Sequence, residues 1–344
     1  MAWWKRAKMG LWIRIGVSCC LLAVLFYNID FGQARAVARE SQIGFVFLAL
    51  LMALADRAMM AYKWNILLRA KRIHVPLHDA VGTYLISTFL GLFLPATVGG
   101  DAIRAVAFAK RGYRTDDVLS SILVERIWGA AALLGMTVGS IGLAYQVLDA
   151  SVLEATRGAV VALGLFCAVL AVLILLMVSP VLSRIVLRVI DRLETYPPIR
   201  TLAGKCRGVY LSYRAYNASV MTLGWFLLLS IIENVFPVLL CYCTALALHV
   251  PVPLLYLFIL VPIILLLGRL PISFDGAGIH EGLFVVFFTL VGIGPVDALL
   301  VGLVSHAIGI IAVLPGGVLF ALGGINYLGM VKTEEGPAPT STVD

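Results

Sequence analysis

The sequence predicts an all-α polytopic membrane protein, with about six full spans plus two re-entrant helix hairpins in an inverted repeat, or else eight spans. Three observations predict it. The 344-residue chain is 61% hydrophobic and only 13% charged, with a mean hydropathy of +1.01. A soluble domain is about half apolar and about a quarter charged. Apolar runs of membrane-spanning length recur along the chain. Finally, two short motifs resemble each other: Leu94-Pro95-Ala96-Thr97-Val98-Gly99-Gly100-Asp101-Ala102-Ile103-Arg104 and Leu270-Pro271-Ile272-Ser273-Phe274-Asp275-Gly276-Ala277-Gly278-Ile279-His280-Glu281. Each runs Leu-Pro, one residue, a hydroxyl, an apolar residue, then a Gly/Asp cluster and Ile before a potential cation. The prolines are 271 − 95 = 176 residues apart, about half the chain. Helix breaks at membrane depth survive where they line a polar cavity. Paired interruptions in two halves of a chain point to a transporter's site; two ordinary Gly/Pro turns between helices are the alternative.

A span needs about 20 apolar residues. Runs of that length cover residues 11–29, 43–68, 118–147, 158–178, 219–248 and 298–327. The first run also resembles a signal peptide, and Ala34-Arg35-Ala36 offers a weak cleavage pattern. Its length and the spans that follow favour an uncleaved anchor. Lys5, Arg6, Lys8 and Arg14 flank it, which puts the N-terminus in the cytoplasm.

The second run is followed by Lys63, Arg69, Lys71 and Arg72, and the segment 80–103 is followed by Arg104, Lys110, Arg111 and Arg114. Both loops read as cytoplasmic, so the segment between them enters and returns on one side. The loop 179–217 carries Arg184, Arg188, Arg192, Arg200, Lys205, Arg207 and Arg214, and also reads as cytoplasmic. The next span then exits near His249 and Pro251. Two short pieces, 252–268 and 282–294, make a second hairpin from outside, and the final span returns the C-terminus to the cytoplasm. The expected organisation is one membrane domain, 1–328, with pseudo-repeats at about 43–147 and 219–327. The basic amphipathic loop 179–217 links them, and a disordered tail, 329–344, follows. In that loop Leu182, Ile185, Val186, Val189, Ile190 and Leu193 share one helical face, opposite Arg184, Arg188 and Arg192. Such a helix suits a membrane surface, or serves ordinary positive-inside anchoring.

The net charge of +7 reflects these loops and implies no nucleic-acid partner. The six cysteines show no CxxC or zinc spacing and read as packing residues. Ionisable groups at membrane depth are the candidates for function: Asp56, Arg57, Lys63, Asp101, Arg104, Glu125, Arg126, Glu233, Arg269, Asp275, His280, Glu281 and His306. Arg57 and Lys63 are expected near the inner boundary, with Lys63 snorkelling. Glu233 sits mid-span and needs a partner. No HExxH, GxSxG or clustered His/Cys set supports catalysis, a metal or a cofactor, and His280 and His306 are weak evidence for a metal. Gly-rich turns beside arginines suit a phosphate. The expected substrate-binding set is Arg57, Thr97, Gly99, Gly100, Asp101, Arg104, Glu125, Arg126, Glu233, Arg269, Ser273, His280 and Glu281. Within it the Gly99-Gly100 turn and Arg104 would hold a headgroup, unless Asp101 and Arg104, three apart on a helix, simply pair. Arg269 and Glu281 carry signs that permit pairing, unless Glu281 meets substrate.

Several features together resemble a known family. They are Arg57 with Tyr62-Lys63-Trp64-Asn65-Ile66-Leu67-Leu68, the first Leu-Pro motif through Arg104, Val124-Glu125-Arg126, and Arg269-Leu270-Pro271-Ile272-Ser273 with Gly278-Ile279-His280-Glu281-Gly282. In order and spacing they resemble the transmembrane region of lysylphosphatidylglycerol synthases and the stand-alone flippase-like proteins related to it. The resemblance implies an inner-membrane protein handling lipids or lipid-linked sugars, with flipping as the activity. The partners it implies are an anionic lipid or lipid-linked substrate and membrane lipids, with a homo-oligomer or a lipid-synthesis partner left open. It gives no reason to expect lysyl transfer, because the chain continues only briefly beyond Tyr327. His280 stands where an Arg-type residue is expected, which replaces a permanent charge by a pH-dependent one. Two other readings compete: a glycosyl-transfer-type membrane enzyme, and a non-transporting scaffold for lipid synthesis.

Overall fold

Residues 40–94, 98–148, 150–216, 219–269 and 278–327 are described by a computed structural model. The first apolar run (11–29), the basic N-terminus, Pro95, Thr97, Pro271, Ser273, Asp275 and the tail lie outside the described residues. The helices are α1 (Ile43–Ala70), α2 (Leu77–Gly91), α3 (Val98–Lys110), α4 (Thr115–Val147), α5 (Ala150–Val178), α6 (Pro180–Glu194) and α7 (Arg200–Ala215). They continue as α8 (Val220–Glu233), α9 (Val235–Ala247), α10 (Leu254–Gly268), α11 (Ile279–Thr289), α12 (Pro295–Ile311) and α13 (Leu314–Tyr327), with no strand among the described residues.

Among the described residues, four stretches are long and apolar enough to cross a membrane: Ile43–Ala70, Thr115–Val147, Val220–Ala247 and Pro295–Leu322. The expected runs 219–248 and 298–327 are each two helices, interrupted at Asn234 and at Ala312-Val313. Pro237 and Pro315 stand just beyond these breaks. Each lacks an N–H, and its ring clashes with the carbonyl four residues earlier, on Glu233 and Ile311. The run 158–178 is the later part of the longer helix α5. The four hairpin helices, α2, α3, α10 and α11, have 15, 13, 15 and 11 residues. At 1.5 Å per residue each is about 16–23 Å long, short of the roughly 30 Å hydrocarbon core.

The turns around the two hairpins match in detail. After α1 the chain turns through Arg72 at φ 58°, and after α9 through His249 at φ 56°. The N–H of Ile73 closes on the Leu68 carbonyl at 3.0 Å, and that of Val250 on the Ala245 carbonyl at 2.9 Å. This is Schellman-type closure, and every partner is offset by 177 (250 − 73 and 245 − 68). After the hairpins Gly112 (φ 87°) and Gly292 (φ 83°) turn the chain, offset by 292 − 112 = 180. There the N–H of Tyr113 bonds the Phe108 carbonyl at 3.2 Å, and that of Ile293 the Phe288 carbonyl at 3.1 Å, again offset by 180. Phe108 and Phe288 are both fully buried, each in its own half's apolar cluster.

The halves meet where α1 lies along α9 and α2 along α13. Glycine permits the second contact. A Cβ on Gly316 would strike the Leu85 carbonyl, and one on Gly317 would lie 2.7 Å from the Phe89 ring. Within the first hairpin a Cβ on Gly100 would lie 2.8 Å from the Ser87 carbonyl. Gly100→Val is therefore expected to push α2 and α3 apart and lower the melting temperature in detergent by several degrees, roughly 1–3 kcal/mol of overpacking; a wild-type melting curve would contradict this packing role.

The basic arm is docked rather than loose. Ser212 donates to Asp117 at 2.6 Å and shares a hydrogen bond with Ser120, so α7 is fixed to α4. Lys71 donates to the Ser212 carbonyl and lies 4.5 Å from the centre of the Tyr216 ring. Burial draws the Lys71 ammonium below its ordinary range, with Asp117 opposing the shift. On α6, Ile185, Val189 and Leu193 are exposed, as are Arg184, Arg188 and Arg192.

Candidate functional site

A cavity of about 300 Å³ lies between the halves. From the first half, α1 supplies Asp56 and Arg57, and α2 supplies Thr88. From the second half come Phe236 and Leu240 of α9, Val261 of α10, His280 and Phe284 of α11, and Ser305 and His306 of α12. Asp56 and Arg57 are the fourteenth and fifteenth of the 28 residues Ile43–Ala70, so this polar wall sits midway along a span. Arg57, expected near the inner boundary, instead lies at the middle of this stretch.

Arg57 is poorly satisfied. Its Nη1 reaches the Met60 sulfur at 3.4 Å, and its Nε stands 3.8 Å from an Asp56 oxygen. That Nε is buried and makes no hydrogen bond among the described residues. A guanidinium has five N–H donors, and leaving buried donors unmet is unfavourable by roughly 1–3 kcal/mol each, more for charged groups. The guanidinium lines the cavity beside Asp56.

Arg104 is the opposite case. Its Nη1 donates to Glu125 at 2.8 Å and its Nη2 to Asp101 at 2.6 Å. Its guanidinium carbon lies 4.8 Å from the centre of the Trp64 ring and 4.6 Å from that of Tyr84. The residue is 2% exposed. Tyr84 donates to the other Glu125 oxygen at 3.1 Å, and Arg126 forks onto Asp101 at 2.9 and 3.0 Å. Arg126, half-exposed, is the member of this network that reaches outward. The pairing of Asp101 with Arg104 forms, and it uses the fork that a headgroup would need. Gly99 and Gly100 are helical residues of α3, not a turn, and Gly100 serves the close approach of α2.

The second hairpin carries a counterpart. Glu281 accepts from His306 Nδ1 at 2.7 Å and from the Gly278 N–H at 2.6 Å, the second bond capping α11. Glu281 and His306 are 25 residues apart, as are Asp101 and Arg126, and the offset between the pairs is 281 − 101 = 306 − 126 = 180. Glu281 thus pairs with His306 instead of Arg269. One ligand-type atom from each of His280, Glu281 and His306 lies within 4.8 Å of the others. Each Glu281 oxygen accepts one hydrogen bond, from Gly278 and from His306.

Glu233 finds its partner in Lys63, which also donates to Ser230 at 2.9 Å and lies 4.9 Å from the centre of the Phe226 ring. Lys63 is 3% exposed, so it does not snorkel. Asp56 is within electrostatic reach of Arg57, Glu233, Lys63 and Arg269. Of the sequence-derived set, the cavity gathers Arg57 and His280, with Glu281 just behind its wall. Asp101, Arg104, Glu125 and Arg126 form the separate network. Thr97 and Ser273 lie outside the described residues. The cavity also uses Asp56, Thr88, Ser305 and His306, which that set omitted. Asp56 and His306 were visible as ionisable residues inside apolar runs; Thr88 and Ser305 gave no signal.

A family model described as the lysylphosphatidylglycerol synthase TM region matches residues 11–317. No curated protein matches the chain.

Proposed function

Because the chain belongs to the lysylphosphatidylglycerol synthase transmembrane-region family and is a multi-pass membrane protein, we propose that it moves an anionic lipid between leaflets of the inner membrane through the Arg57 cavity. The substrate class is a phospholipid or a polyprenyl-phosphate-linked lipid. One observation carries the reading: a mid-span guanidinium, whose buried Nε makes no hydrogen bond among the described residues, lines a cavity built from both halves. Such a group attracts a phosphate bidentately, and ionisable side chains at this depth mark substrate pathways.

The matched turns, and hairpin helices too short to cross, support two re-entrant hairpins in an inverted repeat, and the basic loops favour both termini in the cytoplasm. This orientation has its own test. Thr115 and Pro295 are exposed and open α4 and α12 at equivalent positions, 295 − 115 = 180. Single cysteines there, in a chain freed of native cysteine, are expected to label from opposite sides of the membrane, Thr115→Cys from the cytoplasm. Labelling of both from one side contradicts the inverted repeat.

The activity is tested with purified protein in liposomes containing labelled phosphatidylglycerol. Leaflet exchange faster than for labelled phosphatidylcholine supports translocation. Product formation with a sugar donor would instead support a transferase, and neither outcome a scaffold.

A further inference from the structure

We propose that the Glu281–His306 pair is a proton-binding site that couples lipid movement to a proton gradient, as proton–lipid symport. The inference rests on the headgroup reading of the same cavity. Its geometric basis is the comparison of equivalent pairs. In the first half the acid–cation pair is Asp101 of α3 with Arg126 of α4, whose cation is permanent. In the second, the same two positions hold Glu281 and His306, whose cation exists only when a proton is bound. His306 lines the cavity, whereas Glu281 is 2% exposed and clamped by the Gly278 N–H. Glu281 and His306 Nδ1 are in hydrogen-bond contact at 2.7 Å, so a proton taken up by the pair is held between carboxylate and imidazole.

The surroundings favour coupling over a static ion pair. From α1, Asp56 and Arg57 line the same cavity; α9 contributes Cys241; α11 contributes His280, with Glu281 behind it; and Arg269 follows α10. The His280 and His306 ring centres are 5.3 Å apart. Two imidazolium ions that close repel, so one proton is held, not two. Protonated His306 adds a positive charge to the cavity wall that already holds Arg57. Proton and anionic headgroup therefore strengthen each other's binding, and the strengthening is reciprocal. The loaded carrier moves one proton with one lipid anion from the acidic side to the alkaline side, and releases both there.

Two measurements on the full chain test this. In liposomes with labelled phosphatidylglycerol, one unit of imposed pH difference should change the steady leaflet ratio about tenfold for one coupled proton, with lipid accumulating on the alkaline side. His306→Arg, which installs the first half's permanent cation, should lose that gradient dependence. Gradient-independent exchange in the wild-type protein overturns the coupling and leaves the headgroup reading intact, whereas no exchange at all removes both. The second measurement needs no transport: in detergent, nitrogen-15 spectra of histidine-labelled protein should show His306 titrating between about pH 5 and 8. The midpoint should fall to lower pH in Glu281→Gln, because the anion that favours the imidazolium is gone. A His306 signal that does not change over that range overturns the proposal even if lipid moves.

Discussion

Arg104→Ala is expected to lower the melting temperature in detergent by roughly 10 °C, because it leaves Glu125 buried without its cation and takes from Asp101 one of its two. Removing one partner of a buried ion pair costs about 3–5 kcal/mol, and 1 kcal/mol moves the midpoint of a chain this size by about 2–4 °C. Arg104 also fills the space between Trp64 and Tyr84, so the truncation removes packing as well as charge. Arg104→Lys should recover little, since a point charge cannot fork to two carboxylates or stack flat on two rings. Thermal unfolding followed by size-exclusion fluorescence reads the effect. A variant as stable as wild type, but deficient in lipid binding, would return Arg104 to the role of a headgroup cation.

Arg57→Ala should behave in the reverse way. It is expected to weaken binding of phosphatidylglycerol by more than about tenfold, on the scale of a lost charge-assisted hydrogen bond. Leaflet exchange should fall with it. Stability should hold or rise slightly, because a mid-span cation whose buried Nε is unsatisfied among the described residues is removed, and only the 3.8 Å contact to Asp56 and the 3.4 Å contact to the Met60 sulfur are lost. Arg57→Lys should recover part of the binding, as a single point charge can still meet one phosphate oxygen. Binding titrations at fixed detergent concentration separate these variants. A large loss of stability with unchanged lipid affinity would make Arg57 structural.

Much of the helical plan was legible because membranes constrain sequence so strongly. Loop arginines marked both ends of the first hairpin, and the Leu-Pro motifs marked the places where helices stop. Pro237 and Pro315 were equally visible, yet each is embedded in a long apolar run whose hydropathy reads as one span. The prolines act through local hydrogen bonding, which a hydropathy count does not sense.

The site was less legible, because its partners are far apart in sequence. Glu125 is 21 residues from Arg104, and Glu233 is 170 residues from Lys63. No spacing rule joins them. Spacing did suggest the Asp101–Arg104 contact, since residues three apart share a helix face. It also suggested Arg269 with Glu281, but α12 brings His306 to Glu281 instead. Arg57 and Lys63 show the limit most clearly. Both looked like boundary cations, and only packing distinguishes them: Lys63 is held by Glu233, while Arg57 faces open space.

A headgroup that enters the cavity between the halves can be located directly by photocrosslinking. Phosphatidylglycerol with a photoreactive headgroup, reacted with the reconstituted full chain and mapped by mass spectrometry, should mark cavity residues such as Thr88, Phe236 and Leu240. Excess unlabelled phosphatidylglycerol should suppress those adducts, and Arg57→Ala should abolish them. Adducts confined to the lipid-facing surface, or centred on Arg126 and unaffected by Arg57→Ala, would contradict the account.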